Sequence, residues 1–163
     1  MSCINVPGQI AITKSLKQIE QEEYEGYSSF SEFKIQDFKK CHDMLIEGLN
    51  ELDLPIKPIP AEGGSFIMVD IRQLKDIIPK KYLEQKEYED DENTTIEKRD
   101  KGIPVPLDLA VCRWLAMEKK VVTNPVSYFC YEESPYITYD YIRIAICRGE
   151  ELTKKGIESL QSN

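Results

Sequence analysis

Arg143 is the residue of this sequence best placed to do chemistry. It stands in Tyr139-Asp-Tyr-Ile-Arg-Ile-Ala-Ile-Cys147, where apolar residues recur with period two, as in a half-buried strand. Ile142, Ile144 and Ile146 share one face, and Tyr141, Arg143, Ala145 and Cys147 share the other. A guanidinium in such a strand keeps its charge and needs an anion or water. Its planar fork matches a carboxylate. Two partners satisfy that need: an Asp or Glu of the protein, forming a structural salt bridge, or a bound anion.

The other reactive groups point to less. The five cysteines, Cys3, Cys41, Cys112, Cys130 and Cys147, and the single histidine, His42, have no zinc spacing. Their odd count without a paired motif fits free thiols in a reducing compartment. Cys112 and Cys147 fall in apolar segments and are expected in the core. Cys41 and His42 are neighbours on a helical pattern, so their side chains do not face each other as a nucleophile pair would. Lys14 reads as a solvated helix-surface lysine. Gly63-Gly64 precedes a strand pattern and reads as a turn needing positive φ; a phosphate loop would need a helix next. Glu89-Asp-Asp-Glu92 lacks the glycine and spacing of a calcium loop. No metal site is expected.

The elements that must position Arg143 follow from periodicity. Gln9 to Glu23 predicts a helix with Ile10, Ala11, Leu16 and Ile19 as apolar members, broken near Gly26. Phe30 to Leu52 predicts a longer one, with Phe30, Phe33, Phe38, Cys41, Leu45 and Leu49 at helical spacing. Pro55, Pro58 and Pro60 force extended chain. Ser65 to Asp70 reads as a strand, and Ile71 to Leu83 as short turns cut by Pro79. Residues 84–101 are dense in charge and read as an acidic surface loop. A helix is expected from Asp108 to Lys119, with Asp108 as cap or first-turn anion. A short strand is expected at Val121–Thr123, the main strand at Tyr139–Cys147, and a last helix from Glu150 to Leu160. The fold class is therefore α+β: a two-layer sandwich, with the helices packed on one face of a small sheet.

Composition sets further bounds. A length of 163 residues suits one domain with its own core. The 41% apolar content is globular. A net charge of −8 argues against nucleic acid and anionic membrane as partners. No apolar run is long enough to span a bilayer, and the first residues carry neither an h-region nor an Arg-rich amphipathic stretch. A cytoplasmic or mitochondrial location is the expectation.

Four blocks in order carry a family likeness: Cys3-Ile-Asn-Val-Pro-Gly-Gln9; Ile56-Lys-Pro-Ile-Pro-Ala-Glu-Gly-Gly-Ser-Phe-Ile-Met-Val-Asp70; Asp108-Leu-Ala-Val-Cys-Arg-Trp-Leu115 running on to Val121-Val-Thr-Asn-Pro-Val-Ser-Tyr-Phe129; and Tyr141-Ile-Arg-Ile-Ala-Ile-Cys147. With these the sequence resembles the C-terminal small domain of the class I/II pyridoxal-phosphate-dependent aminotransferases. It is most similar to the kynurenine aminotransferases, also called cysteine-S-conjugate beta-lyases. The resemblance implies that Arg143 holds the substrate's α-carboxylate and that Asn124 to Phe129 borders the substrate pocket.

It also implies that the Schiff-base lysine and the other pyridoxal-phosphate-binding residues sit on a large domain that precedes the small one and is absent from this sequence. Residues 1–163 then form one aminotransferase-like small domain. The expected function is that of a truncated pseudoenzyme: a non-catalytic interaction or structural subunit that by itself binds no cofactor. The alternative is the C-terminal part of a transaminase whose large domain lies elsewhere. In either case a protein partner is expected over the Arg143 face of the sheet. Val6, Ile10, Tyr128, Phe129, Tyr139 and Tyr141 are expected on or near that surface.

Overall fold

The computed structural model describes residues 5–84, 105–131 and 134–162. In chain order these form α1 (Val6–Gln21), α2 (Phe30–Asn50), β1 (Lys57–Ile59), β2 (Phe66–Asp70), α3 (Lys80–Leu83), α4 (Leu107–Glu118), β3 (Asn124–Pro125), β4 (Tyr141–Ala145) and α5 (Glu150–Gln161). Short 3-10 turns lie at Arg72–Leu74 and Val126–Phe129. The acidic stretch expected as a loop lies, apart from Glu84, outside the described residues, as do Cys3 and the Glu89–Glu92 carboxylates.

Local chemistry starts and stops the helices. Asn5 caps α1 by accepting the Gly8 N–H at 3.0 Å, with Pro7 in the first turn. Ser29 accepts the Glu32 N–H at 3.1 Å, and the Glu32 carboxylate reaches back to the Ser28 N–H at 2.9 Å. This reciprocal cap fixes the start of α2. Just before it, Glu25 (φ 46°) and Gly26 (φ 85°) make a tight turn, closed by a bridge between Tyr24 and Tyr27. Both tyrosine rings then pack on Phe33, with centroids 5.0 and 5.5 Å away.

The four strands form one antiparallel sheet in the order β1-β2-β4-β3. Alternation assigns its faces. Ile67 and Val69 of β2 and Ile142 and Ile144 of β4 are buried on one side. There they meet Leu45 and Leu49 of α2, Val111, Trp114 and Leu115 of α4, and Leu160 of α5. Each such aliphatic side chain contributes roughly 1.5–3 kcal/mol of burial. Phe66, Met68, Tyr141 and Arg143 are half-buried on the opposite face, which no described helix covers as α2 and α4 cover the first. The expected α+β two-layer sandwich is the observed architecture.

Several local expectations need correction. Helix α1 is not part of the helical layer on the sheet: it packs against α2 and buries no side chain. Its apolar residues are too few and too spread to cover a sheet face. The strand expected at Val121–Thr123 forms instead at Asn124–Pro125. Thr123 is drawn inward, its hydroxyl on the Cys112 sulfur at 3.1 Å, and pairing with β4 begins only beyond it. The proline-rich connection supplies an edge strand, β1, where Pro58 is tolerated because a proline costs an edge strand little. Cys112 is buried as expected, but Cys147 is exposed. The alternation runs on through buried Ile146 and puts Cys147 on the Arg143 face, away from the core.

Candidate functional site

Strand β4 lies between β2 and β3, and Arg143 is its central residue. In register it faces Met68 of β2 on one side and Asn124 of β3 on the other. All three therefore project from the open sheet face. Phe66, diagonal to Arg143 on the same face, places its ring centroid 3.9 Å from the guanidinium carbon. Phe129, from the 3-10 turn that follows β3, places its ring 3.7 Å from the same carbon. Both rings therefore lie within cation–π range of the guanidinium.

The first expectation for Arg143, a salt bridge to an Asp or Glu of the protein, finds no partner among the described residues, which do not include Glu132, Glu133 or residues 85–104. Among the described residues no carboxylate pairs with it, and its Nε is buried without a hydrogen-bond partner. The carboxylate that shares its sheet face, Asp70, is already taken: it accepts from Arg72 Nε at 3.1 Å and Nη2 at 2.5 Å. The Arg72 hydrogen bond holds the Asp70 carboxyl below its ordinary range, opposed in part by burial. Rings in this range attract a cation by roughly 0.5–2 kcal/mol each but accept no N–H hydrogen bond in the guanidinium plane. Of the in-plane donors, Nε is buried and without a partner among the described residues.

Phe129 is seated by an unexpected residue. Asp108, fully buried at the start of α4, accepts the Leu109 N–H at 2.8 Å and the Ser127 N–H at 2.9 Å. The first bond is the first-turn role expected of it. The second reaches out of the helix into the turn that carries Phe129, and nothing local in the sequence signals it.

The remaining candidates are structural. His42 Nε2 accepts the Ala61 N–H at 3.0 Å while Nδ1 faces Asp43 at 2.9 Å, and Cys41 beside it is buried. Gly64 has φ 83°, the turn conformation expected. Burial pushes the Cys112 thiol up to about 11, against a smaller lowering by the Thr123 hydroxyl. Among the described residues no group of three metal-ligating side chains forms, and no helix is long and apolar enough to cross a membrane. Val6, Ile10, Tyr128, Phe129 and Tyr139 are exposed and Tyr141 is half-buried, as expected.

The site fits one carboxylate. The row Ile59–Met68–Arg143–Asn124 contains no lysine. Lys57 stands on the far edge strand in the next row, and Lys14 projects from α1.

No protein-family model and no curated protein matches this sequence. Solved structures do. Over 93% of its length the chain superposes on Bna3p from Saccharomyces cerevisiae, proposed to be a kynurenine aminotransferase, with a TM-score of 0.60 and 24% identity. Over 97% it superposes on YbdL from Escherichia coli, which has a methionine aminotransferase function, with a TM-score of 0.57 and 22% identity. Over 98% it superposes on a further Escherichia coli aminotransferase, with a TM-score of 0.57 and 16% identity. The chain has an aminotransferase-like fold. This aminotransferase-like domain spans 29% of Bna3p and 31% of YbdL. Its Arg143 site is thus set on a partial aminotransferase fold.

Proposed function

We propose that this chain is the carboxylate-holding, non-catalytic part of a larger aminotransferase-type assembly. Arg143 receives the α-carboxylate of an amino or keto acid. The observation that carries this is the guanidinium beside Phe66 and Phe129, with Nε unsatisfied and no described carboxylate in reach. A buried donor without a partner is costly, and a bidentate carboxylate removes that cost. The N–H donors of the guanidinium point outward in its plane, so a bidentate anion pairs with it there. That fixes the direction of the α-carbon it brings, which is how a binding arginine assists chemistry done by other groups.

Those other groups, including the cofactor lysine of a pyridoxal-phosphate enzyme, belong to polypeptide other than the described residues. In this reading residues 1–163 form one small domain. A protein partner covers the Arg143 face and the exposed apolar side of α1. The second reading is that the same domain completes a single transaminase of the kynurenine–oxoglutarate or cysteine-S-conjugate beta-lyase type. It is favoured by the fold likeness together with the same unpaired arginine.

Calorimetric titration with acetate, pyruvate and 2-oxoglutarate tests the site. Wild type should bind and Arg143→Met should not. Equal binding by both proteins removes Arg143 as the receptor. Stoichiometric attachment of pyridoxal phosphate to one defined lysine on borohydride treatment would overturn the non-catalytic reading.

A further inference from the structure

We propose that Asp108 is a positioning residue of the Arg143 site: its buried carboxylate holds the Ser127 amide and so seats Phe129 on the guanidinium. The consequence for ligand affinity rests on the carboxylate-receptor reading above; the seating itself does not.

Asp108 is 0% exposed, and its two oxygens face two backbone donors. A buried carboxylate without such donors would be strongly unfavourable. Starting α4 would require only the Leu109 bond. The Ser127 bond does something else: it fastens a turn that α4 does not contain. Ser127 also accepts the Cys130 N–H at 3.1 Å, and the Cys130 thiol reaches the Val126 carbonyl at 3.7 Å. The residues on both sides of Phe129 are therefore tied to one anchored amino acid.

Phe129 itself is 59% exposed. Burial does not hold a ring in that position, and an exposed ring samples several rotamers. The seat of its backbone must supply the constraint, and that backbone is tied to the rigid body of the domain by β3, paired with β4 just before the turn, and within the turn by Asp108. A further link, the Thr123 hydroxyl on Cys112, fastens the same segment upstream of the turn. Loss of the Asp108 link should therefore free the turn locally rather than release the segment.

The test reads the arginine directly. In ¹H–¹⁵N spectra of the whole chain, the Arg143 Nε–Hε signal, assigned by its loss in Arg143→Lys, should be shifted by the ring currents of its two phenyl neighbours. Asp108→Asn leaves one acceptor oxygen for two N–H donors, so the Leu109 and Ser127 bonds cannot both persist. It should move this signal toward the ordinary arginine position, in the same direction as Phe129→Leu. The double variant should move it no further than Phe129→Leu alone. Acetate affinity should fall about fivefold in each single variant, the effect of one hydrogen bond's worth of positioning.

An Nε–Hε signal unmoved by Asp108→Asn but moved by Phe129→Leu overturns the proposal, whatever the binding. A wild type that binds no acetate, with the signal still moved by Asp108→Asn, overturns the carboxylate-receptor reading and leaves the seating intact. If Asp108→Asn fails to fold by circular dichroism, Asp108→Ser takes its place. Serine keeps an acceptor near the Leu109 amide but is too short to hold Ser127.

Discussion

Gly48 of α2 lies so close to Ile157 of α5 that a β-carbon on the glycine would stand 2.7 Å from the isoleucine Cγ2. The two helices meet at this point because one of them has no side chain there. The same pair is joined at the surface by Lys40 and Glu150, 2.5 Å apart. Gly48→Ala should therefore not show the gain of about 1 kcal/mol that alanine brings to an ordinary helix interior. Overpacking of this kind costs roughly 1–3 kcal/mol, so a net loss of about 1 kcal/mol is expected in urea unfolding. In an Ile157→Ala background the same substitution should become neutral or stabilising. A loss of equal size in both backgrounds would show that the contact does not set the cost.

Arg143→Met should leave stability unchanged or raise it by up to about 1 kcal/mol. No described carboxylate depends on the charge, and a thioether packs well against two phenyl rings. Carboxylate binding should be lost at the same time. A destabilisation of several kcal/mol in thermal or urea unfolding would mean that the guanidinium has a protein partner after all.

The Glu150 carboxyl is held down to about 2, against an ordinary 4.5, first by the Lys154 hydrogen bond and then by that of Lys40, opposed by some desolvation. Its folded form thus resists protonation more than its unfolded form does. The contribution is fully present above about pH 4.5 and disappears as the pH falls through about 2. The melting-temperature gap between wild type and Glu150→Gln should be constant from pH 6 to 8 and close across that acid window. Because these groups are largely exposed, added salt should narrow the gap at neutral pH.

Thiol labelling should follow burial. In a Cys3→Ser background Cys147, exposed, should react first and Cys130 next. Cys41 and Cys112 should react only on unfolding, Cys112 doubly protected by burial and by a thiol pushed up to about 11. Early modification of Cys112, located by peptide mapping, would contradict the packing of α4 on the 121–125 segment.

The exposed apolar residues of α1, Val6, Ile10, Ile12 and Leu16, should become covered in the native assembly. Hydrogen exchange should slow at residues 6–16 and 139–147 when the isolated chain is compared with the assembled one. Segments equally protected in both states would remove the argument for a partner on this side.

The alternation along residues 139–147 by itself determined that Arg143 shares a sheet face with Tyr141 and opposes three isoleucines, because strand geometry has a period of two that needs no partner. The 3.6-residue patterns likewise determined α2 and the α+β class. The exposure of Cys147 follows the alternation that puts it with Arg143 and was misread from the apolar segment alone, whereas the strand at 121–123 was misread for another reason. Pairing partners and strand ends are set by neighbouring chain, and local propensity does not contain them.

Only the tertiary structure decided what Arg143 faces. Phe66 comes from β2, Phe129 from a turn after β3, and the Asp70 that could have neutralised the arginine is occupied by Arg72. The role of Asp108 was equally illegible. A carboxylate in a first turn reads as a helix feature, and the amide it holds lies in another segment. Charge, size and periodicity are properties of the residues along the chain, whereas the convergence of two rings on one guanidinium arises only when the sheet and its helices close around a common core.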